Sequence, residues 1–537
     1  MVRVRRVRAS FPFRSARFAL CAAVLVTGSS LGATAGADTA TLTDPSPSFA
    51  GDHGWDSAGQ NIFDTHSTAD EHIIDSANVA RLGPRWTFTT GGSVSATPTV
   101  AHAVVYVPDW SGNLYAVDAR TGARIWSDSI PAITGVSADV SRVSPAYWRG
   151  ELVTGDRTVT DTGGAEAFAV DARTGTLLWK KQIDGDPYAI ITASPVVSDG
   201  IAYIGVSSRS ETAAQSPTFR GSVVALDART GALLWKTYTV PDGYTGGAVW
   251  GSTPVVDPAT GLLYVGTGNN YTTPPGVCTM PDQTDCALAP ADDYIDSVVA
   301  LDLHTGAVAW SRPTLTADTW TLAKRYGPDF DFGTGPNLLR TTLDGTRTDL
   351  LGIGQKSGVY WALDPADGHI VWATAVGPGG ALGGIEWGTA TDGRRIYVAV
   401  GNTDNVPYTL QGCGPYAGQT ITGGAWSALD PATGAILWQT PDPQGNVVDD
   451  GMLSAANGVL YGGSLAATGD DMYALDAATG VVKWGFASGG AVLGGPAIVD
   501  GTVYWGSGYH TQWFPPPLGY YGDNDKLFAF SLPHSGA

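Results

Sequence analysis

The sequence predicts an all-β fold built from one repeated unit, and three observations indicate this. A twelve-residue pattern recurs seven times: an alternating strand, an Asp-x-x-Thr-Gly turn or close variant, and a return strand ending in Trp. The 537 residues include 71 Gly and 33 Pro, which is typical of turn-rich structure and excludes a coiled coil. Because 43% of residues are hydrophobic and only 15% charged, the chain is not disordered.

The repeat predicts a β-hairpin within a larger sheet. In each copy an Asp precedes the terminal Trp by eight residues, and it can accept hydrogen bonds from the backbone amides that follow, while the Gly takes a positive φ. A second strand pair precedes most copies, so each unit predicts four antiparallel strands, one blade of a β-propeller whose Trp packs on the next blade. The seven aspartates are Asp118, Asp171, Asp227, Asp302, Asp364, Asp430 and Asp476.

The copies predict eight blades, with seven as the alternative. Trp86 in LGPRWTFTTG resembles the return strand of a split eighth unit, and LFAFSLP at 527–533 would supply its partner. Strands from both ends of the chain would then close the ring without an exposed edge. The spacing between repeats is widest in the middle blades, and we expect these insertions to carry function.

Residues 1–37 are predicted to be a secretory signal peptide. An arginine-rich start, an apolar stretch at 18–26 and the small residues up to Ala37 occur in the expected order. We place cleavage after Ala37, followed by a lead-in segment at 38–80 and the propeller at 81–537. We therefore expect a secreted protein, extracellular or periplasmic. No other stretch is apolar enough to cross a membrane, and a net charge of −20 argues against nucleic acid as a partner.

The cysteines indicate a structural role. Cys278 and Cys286 lie eight positions apart in a Pro-rich stretch, and export permits a disulfide between them. The sequence assigns no partner to Cys413. The chain contains no C-x-x-C-H motif, so it has no attachment site for a c-type haem.

Several segments outside the repeat resemble a known family. The repeat itself is similar to that of quinoprotein propellers, which bind pyrroloquinoline quinone (PQQ), although similar repeats also build non-catalytic propellers. GPDFDFG, GQKSG, GGALGGIEWG and SSRSE with FRGSVVALD resemble the polyvinyl-alcohol dehydrogenase branch of the quinoprotein alcohol dehydrogenases. The resemblance runs from about residue 50 to the C-terminus. It implies PQQ and Ca²⁺ as cofactors.

The resemblance implies that Glu211, Asn269 and Asp331 hold the Ca²⁺, which favours hard oxygen ligands. Glu211 lies in GVSSRSETAA, and Asn269 lies in YVGTGNNY, where Asn270 is the alternative. Taken alone, Glu211 would be interpreted as a solvated loop acid. Its position beside other matching segments favours the metal.

The resemblance also implies a cofactor seat. Trp250 in GGAVWGSTPVVD matches the indole that stacks under the quinone, and it lies outside the repeat register, so blade packing does not explain it. Lys356 in GQKSG matches the basic residue that bonds the reactive carbonyl, and PQQ, a tricarboxylate, requires such cations. The other matching residues are Arg142, Thr192, Ser208 and, as a further wall, Trp387.

Asp331 is the expected catalytic base. The family places an Asp shortly after a blade-ending Trp, and an insertion in this chain puts Asp331 there, with the family's distance to Lys356. Asp329 and then Asp318 are the alternatives, and at least one of the three is expected to be a capping or turn acid. The adjacent-cysteine disulfide usual in the family has no counterpart here, since residues 136–138 are Val-Ser-Ala.

The implied reaction is hydride transfer from a primary or secondary alcohol to Ca²⁺-bound PQQ. Asp331 would take the hydroxyl proton, and Lys356 would stabilise the oxygen on which charge develops. Electrons would leave to an external acceptor such as a cytochrome c, and the alcohol is small or polymeric, polyvinyl alcohol included. The alternative from another class is a non-catalytic extracellular propeller that binds or scaffolds. That class gives no reason for Glu211, Trp250 and Lys356 to converge.

Overall fold

A computed structural model describes residues 54–158, 163–213, 216–251, 253–281, 283–343, 345–466, 468–509 and 522–533. The predicted signal peptide and the first part of the lead-in segment lie outside the described residues. None of the helices in the described ranges has the length and apolar composition that a membrane span requires.

Eight blades, each with four antiparallel strands, form a propeller, and the sheets of two blades carry one further short strand. The eight blades confirm the expected number, and the seven-blade alternative is wrong. Blade 1 consists of Thr99–Ala101, Val104–Pro108, Asn113–Asp118 and Arg124–Ser129, and blade 2 of Ala146–Trp148, Glu151–Gly155, Ala165–Asp171 and Leu177–Asp184. Blade 3 consists of Val196–Ser198, Ile201–Ser208, Ser222–Asp227 and Leu233–Tyr238, and blade 4 of Val255–Asp257, Leu262–Gly266, Ser297–Asp302 and Val308–Pro313. Blade 5 consists of Asn337–Leu343, Thr346–Gly354, Val359–Leu363 and Ile370–Ala375, and blade 6 of Ala390–Thr391, Ile396–Val400, Ala425–Leu429 and Ile436–Pro441. Blade 7 consists of Leu453–Ala456, Val459–Gly463, Met472–Asp476 and Val482–Phe486, and blade 8 of Ala497–Val499, Thr502–Ser507, Lys526–Ser531 and Gly83–Thr89.

Short elements complete the described chain. Two small helices and one 3-10 turn occur at Ile130–Thr134, Ser210–Ala213 and Val79–Arg81. The additional strands are Ser67–Thr68, Ala189–Ile190, Thr245–Gly246 with Asn270–Thr272, Gly333–Thr334 with Glu386–Trp387, and Tyr408–Thr409 with Thr420–Ile421.

Blade 8 closes the ring with strands from both ends of the chain. Gly83–Thr89 pairs antiparallel with Lys526–Ser531, with Trp86 opposite Ala529. The first and the last strand of the propeller in chain order therefore lie in one sheet, which closes the ring. This is the split blade that the sequence predicts.

The repeat aspartates and tryptophans have the predicted roles. Asp118 Oδ1 accepts hydrogen bonds from the backbone N of Thr121 and from its hydroxyl, both at 2.7 Å. Each blade-ending Trp donates its indole N–H to a carbonyl of the neighbouring blade, and in seven of the eight cases the acceptor directly follows a repeat Asp. The eight pairs are Trp86–Ala119, Trp126–Ala172, Trp179–Ala228, Trp235–Leu303, Trp310–Pro365, Trp372–Pro431, Trp438–Ala477 and Trp484–Leu82.

The two edges of the ring differ in regularity. Because the strands are antiparallel, the turns after the first and third strands of every blade share one edge, which we name the turn end. The connections after the second strand and between blades share the other edge, which we name the site end. The longest connections, 267–296, 314–336 and 401–424, all lie at the site end, as do the insertions of the middle blades. The predicted disulfide Cys278–Cys286 is present within 267–296.

The described part of the lead-in segment runs along the innermost strands. Trp55 pairs with Val100 of blade 1, and Phe63 accepts a hydrogen bond from the backbone N of Leu338 in blade 5 at 3.0 Å. Ser67–Thr68 then pairs in parallel with blade 7. One continuous segment therefore links blades that are far apart in sequence.

Candidate active site

One cavity at the site end is lined by side chains from connections around the ring. Eight of the nine residues expected at the site line this cavity: Arg142, Thr192, Ser208, Glu211, Trp250, Asp331, Lys356 and Trp387. The ninth, Asn269, adjoins it through Asp331, which accepts a hydrogen bond from the backbone N of Asn269. Propeller closure thus brings together residues that the sequence spreads over more than 200 positions.

Asp331 is oriented by hydrogen bonds to both carboxylate oxygens. Its Oδ2 accepts from the indole N–H of Trp250 at 2.7 Å, and its Oδ1 accepts from the backbone N of Asn269 at 2.9 Å. The backbone carbonyl of Asp331 accepts from the N of Lys356 at 3.0 Å. These contacts join the connections of blades 3, 4 and 5 at one point.

Lys356 is a buried ammonium between acids. Its Nζ lies 3.1 Å from Asp329 Oδ2, 3.6 Å from Asp331 Oδ2 and 4.9 Å from the ring centroid of Trp250. Burial opposes the charge, but the neighbouring carboxylates outweigh it and raise the pKa of Lys356 well above its usual range. Lys356 is therefore protonated at neutral pH.

The acids around Lys356 outnumber it. Burial raises the pKa of Glu211 to about 7, with Lys356 lowering it and Asp331 raising it. Burial likewise raises the pKa of Asp329 well above its usual range, against the attraction of Lys356. One ammonium does not compensate this many buried carboxyl groups, so this side of the cavity favours an added positive charge.

Asn269 provides an oxygen that accepts no hydrogen bond. Its Nδ2 donates to the carbonyls of Asn270 at 2.9 Å and Trp320 at 2.7 Å, whereas its buried Oδ1 has no donor. The Oδ1 of Asp329 is buried in the same way. Buried oxygens without donors are costly, and carboxylate and amide oxygens are the ligands that hard cations prefer. The residues at this position therefore fit a Ca²⁺-like ion.

The alternative residues have other contacts. Asn270 also has a buried Oδ1 without a donor, but its Nδ2 binds Asp293, which does not line the cavity. Asp318 accepts from the backbone N of Trp320 at 3.1 Å and of Asp329 at 2.9 Å. Asp318 thus has the geometry of a turn acid. In the described ranges, no three or more Asp, Glu, His or Cys side chains are grouped to hold a metal; the candidate set includes an amide.

Three guanidinium groups line another part of the cavity, and sequence reasoning identified only Arg142. Arg157 and Arg209 are buried at 6% and 5% exposure. Burial, and next the charge of Arg142, lower the pKa of Arg157 to about 9. Such a group of guanidinium ions fits a polycarboxylate. Arg209 lies within the SSRSE segment that carried the resemblance, whereas no local pattern distinguishes Arg157.

Aromatic side chains separate the two charged parts. Trp250 and Trp387 meet edge to face, with ring centroids 5.2 Å apart. The guanidinium carbon of Arg142 lies 3.9 Å from the Trp387 ring centroid. Trp387 has a φ of +65°, a strained conformation for a bulky residue that often marks a functional site. The Thr192 hydroxyl donates to the Trp250 carbonyl at 2.6 Å, which fixes the backbone of this indole.

Two further acids of the cavity were missed from the sequence. Glu386 precedes Trp387, and burial raises its pKa to about 7, with Lys356 lowering it and Asp331 raising it. Asp450 comes from the connection between blades 6 and 7, and burial raises its pKa well above its usual range. Glu386 belongs to the quoted GGALGGIEWG segment, so a signal existed for it; Asp450 lies in no matching motif.

Comparisons with known proteins identify similar chains. A family model described as glucose/ethanol/alcohol dehydrogenase, beta-propeller domain, matches residues 55–381, and a model described as outer membrane protein assembly factor BamB matches 423–515. The polyvinylalcohol dehydrogenase of Sphingopyxis sp. (strain 113P3) is 34% identical over 494 residues, covering 81% of this chain and 70% of that protein. The polyvinylalcohol dehydrogenase of a Pseudomonas species is 32% identical over 489 residues, with the same coverage.

A solved structure supports the fold. The crystal structure of quinohemoprotein alcohol dehydrogenase from Comamonas testosteroni superposes with a TM-score of 0.68 at 22% sequence identity, covering 90% of this chain and 82% of that one. At this identity the likeness concerns the fold alone. The family model covers more than half of the chain and the two polyvinylalcohol dehydrogenases share about a third of its residues, so the chain belongs to the PQQ-dependent alcohol dehydrogenase β-propeller family.

Proposed function

We propose that this chain is an exported, Ca²⁺-containing PQQ alcohol dehydrogenase that oxidises primary or secondary alcohols and passes electrons to an external acceptor. The observation that carries the proposal is the divided cavity. Guanidinium groups line one part and carboxyl groups around a single ammonium line another, with the indoles of Trp387 and Trp250 between Arg142 and Lys356. A flat molecule bearing several carboxylates, bound together with a divalent cation, complements both parts.

The arginines and tryptophans would bind the cofactor. Arg142, Arg157 and Arg209 would pair with its carboxylates, and Trp250 would present a flat apolar face to its ring system. Thr192 would hold Trp250 in place through its carbonyl, and Ser208, whose hydroxyl lies 2.6 Å from that of Ser210, would add a polar contact. When bound, PQQ supplies the two-electron acceptor for the hydride of the alcohol.

The cation would be held by Glu211, Asn269 and Asp331. The unpaired amide oxygen of Asn269 and the raised pKa of Glu211 both support a positive charge at this position. A bound Ca²⁺ would supply Lewis acidity. Ionisation of Glu211 would accompany its binding, because a ligating carboxylate must be deprotonated.

Asp331 would accept the hydroxyl proton of the alcohol. The bonds from Trp250 and Asn269 hold its carboxylate in one orientation, which proton transfer requires. The Lys356 ammonium would stabilise negative charge on the oxygen of the cofactor's reactive carbonyl, since it is buried and already positioned by Asp329. Asp329, whose Oδ1 is free of hydrogen bonds, is the alternative base.

The substrate and acceptor are inferred from chemistry and relatives. Two relatives are named polyvinylalcohol dehydrogenases, which supports a polymeric secondary alcohol alongside small alcohols. Because the sequence has no c-type haem attachment motif, we infer a separate electron acceptor such as a cytochrome c. Another relative is named lupanine 17-hydroxylase [cytochrome c], in agreement with that acceptor class. Signal-peptide cleavage near Ala37 would precede the lead-in at 38–80 and the propeller at 81–537.

A titration tests the proposal. Protein supplied with Ca²⁺ and PQQ is expected to quench Trp fluorescence at saturation and to reduce an artificial acceptor dye when a secondary alcohol is added. Trp250→Ala and Glu211→Ala should each weaken PQQ binding at least tenfold, while the circular dichroism spectrum is kept. Glu151→Ala, an acid at the turn end, serves as the control and should bind as wild type.

Two outcomes would contradict the function. Absence of PQQ-dependent dye reduction across primary and secondary alcohols would favour the non-catalytic propeller. Normal PQQ affinity in both the Trp250 and the Glu211 variant would mean that the cofactor seat is placed wrongly.

A further inference from the structure

A buried Asp–His pair in the lead-in segment has no part in the roles proposed above. Asp64 and His66 are each 1% exposed, and Nε2 of His66 lies 3.3 Å from Oδ1 of Asp64. Nδ1 of His66 has no hydrogen-bond partner. Burial raises the pKa of Asp64, and the charge of His66 lowers it only in part. Among the described residues, Tyr360 of blade 5 also interacts with Asp64, and it stays neutral because burial raises its pKa. Burying titratable groups with so few partners costs free energy, so packing alone does not explain the pair.

The backbone holds both side chains in place. Asp64 and His66 have φ values of +52° and +50°, which non-glycine residues seldom adopt and which often occur at functional sites. The carbonyl of Asp64 accepts from Nδ2 of Asn337 at 2.5 Å, and the carbonyl of His66 accepts from the N of Ala455 at 2.9 Å. Blades 5 and 7 thus fix the segment through its backbone, which leaves the two side chains available to exchange protons.

The pair lies beneath the floor of the cavity. A Cβ on Gly333 would lie 2.7 Å from the Trp250 ring and 3.5 Å from Cγ of Glu386, two side chains that line the cavity. A Cβ on Gly335 would lie 2.1 Å from Oδ2 of Asp64. Gly333 begins a short strand, and positions two apart on an extended backbone face the same way, about 7 Å apart. The Asp64 carboxylate therefore lies one such step below Glu386, a gap that an ordered water can bridge.

The neighbouring strand places His66 in the same way. Glu386 is paired with Gly333, and two positions after Glu386 a Cβ on Gly388 would lie 3.2 Å from Cε1 and 3.3 Å from Nε2 of His66. Each of the two paired strands thus contributes to the cavity and then places a glycine against the pair. Both strands at the cavity floor therefore rest on Asp64 and His66.

Polar groups connect the pair to the turn end. The N of Asp64 donates to the carbonyl of Asn61 at 3.1 Å. Nδ2 of Asn61 donates to Oε1 of Gln60 and to Oγ1 of Thr65, both at 2.7 Å, and these three residues are partly exposed. The carbonyl of Thr65 accepts from the N of Thr391, where the first strand of blade 6 ends at the turn end. A polar route therefore leads from the pair to solvent on the side away from the cavity.

We propose that His66 and Asp64 form a proton outlet, which passes protons from the cavity floor at Glu386 to solvent at the turn end. The inference rests on the proposed function. Oxidation of one alcohol to its carbonyl compound releases two protons and two electrons, and a one-electron carrier takes only the electrons. For each proton, Nδ1 of His66 takes one up, Nε2 gives one to the Asp64 carboxylate, and Asp64 releases it at the turn end.

Two half-reactions distinguish an outlet from a structural pair. The variants are Asp64→Asn, since Asn tolerates a positive φ, and His66→Gln. Cofactor reduction by alcohol without an acceptor should stay within about threefold of wild type, because the outlet acts after hydride transfer. Turnover with saturating ferricyanide, which accepts electrons but no protons, should fall about 100-fold, the lower end of what a positioned proton-transfer group contributes. The ratio of turnover in H2O to turnover in D2O should rise in both variants.

His102→Gln is the matched control. His102 has a φ of +49° but is exposed in a turn of blade 1, so this variant should match wild type in both half-reactions and in the solvent isotope ratio.

A second measurement needs no cofactor. In histidine-selective nitrogen NMR of the cofactor-free protein, the imidazole N–H of His66 is identified by its loss in His66→Gln. This proton should exchange with water too fast to give a sharp signal, although the ring is buried, because the outlet is open to solvent. A sealed structural pair would instead protect it.

The outcomes separate the outlet from the function. A protected imidazole N–H at neutral pH would overturn the outlet, as would equal losses in both half-reactions. Ferricyanide turnover within about threefold of wild type in both variants would overturn it as well. Each of these results leaves the proposed function standing. No PQQ-dependent oxidation of any alcohol by the wild type would overturn the proposed function, and the outlet with it.

Discussion

The aspartates at the two ends of the propeller behave in opposite ways. At the turn end, Asp302 Oδ1 accepts hydrogen bonds from the N and the hydroxyl of Thr305, both at 2.8 Å, and chiefly the hydroxyl bond lowers the pKa of Asp302. At the site end, burial raises the pKa of Asp329 well above its usual range, and one of its oxygens has no donor. The aspartate carboxylate thus finds hydrogen-bond donors within its own turn at one end, whereas at the other end one of its oxygens has no donor.

The difference shows where stability and function are separated. A turn aspartate obtains its side-chain hydrogen bonds from the second and third residues that follow it, so it stabilises its hairpin in any blade. A site acid loses its hydration on burial without gaining enough hydrogen-bond donors in return. It therefore lowers the stability of the cofactor-free protein and favours binding of a positively charged ligand. Strongly perturbed acids in a cavity are typical of functional sites.

The largest expected effect is on kcat, and it distinguishes an aspartate of the site end from one of the turn end. Asp331→Asn should lower kcat by about 100- to 10,000-fold, because a general base contributes that much, while Asp302→Asn should leave kcat within about twofold. The measurement is dye reduction at saturating alcohol and PQQ, with loading verified by fluorescence. Full loss in Asp329→Asn combined with near-normal turnover in Asp331→Asn would move the base to Asp329.

The next effect concerns the stability of the turn end. Gly306 and Gly261 have positive φ values of +70° and +74°, but a Cβ on Gly306 would lie 2.5 Å from the Trp235 ring, whereas one on Gly261 meets nothing within 4 Å. Gly306→Ala should therefore lose about 2 kcal/mol more free energy of unfolding than Gly261→Ala, from overpacking alone. Urea unfolding followed by fluorescence measures the difference. Equal losses would show that contact with Trp235 contributes nothing beyond the backbone conformation.

The smallest effect is a pH dependence of the cofactor-free protein. Burial raises the pKa of Glu386 from 4.5 to about 7, so between these values the folded state binds more protons than the unfolded state. Stability from this group is present below about pH 4.5 and is lost as the pH rises through about 7. The thermal midpoint should therefore fall from pH 5 to pH 8, and Glu386→Gln should flatten the decline.

Asp302→Asn is the matched control for the pH series. Its pKa is lowered, so this acid is ionised in both states over the whole range and its removal should not change the slope. A slope that Glu386→Gln leaves intact would assign the pH dependence to the other buried acids.

Much of the site could be predicted because motifs mark it, but its electrostatics could not. GQKSG and GGAVWG locate Lys356 and Trp250, and the structure brings both to Asp331. Arg157 was missed because nothing in its own segment differs from an ordinary surface arginine. Its burial arises from closure of the ring around it. The path of the lead-in segment had no sequence signal either, since Trp55 and Ser67–Thr68 pair with distant strands.

By itself the sequence determined the blade, the number of blades and the Trp contacts between them, because these depend on hydrogen bonds and packing that every copy repeats at fixed spacing. Only the tertiary structure decided which acids surround Lys356 and which arginines join Arg142. Loss of water and interaction between charges depend on distances across the ring, and those distances arise only when both ends of the chain close blade 8.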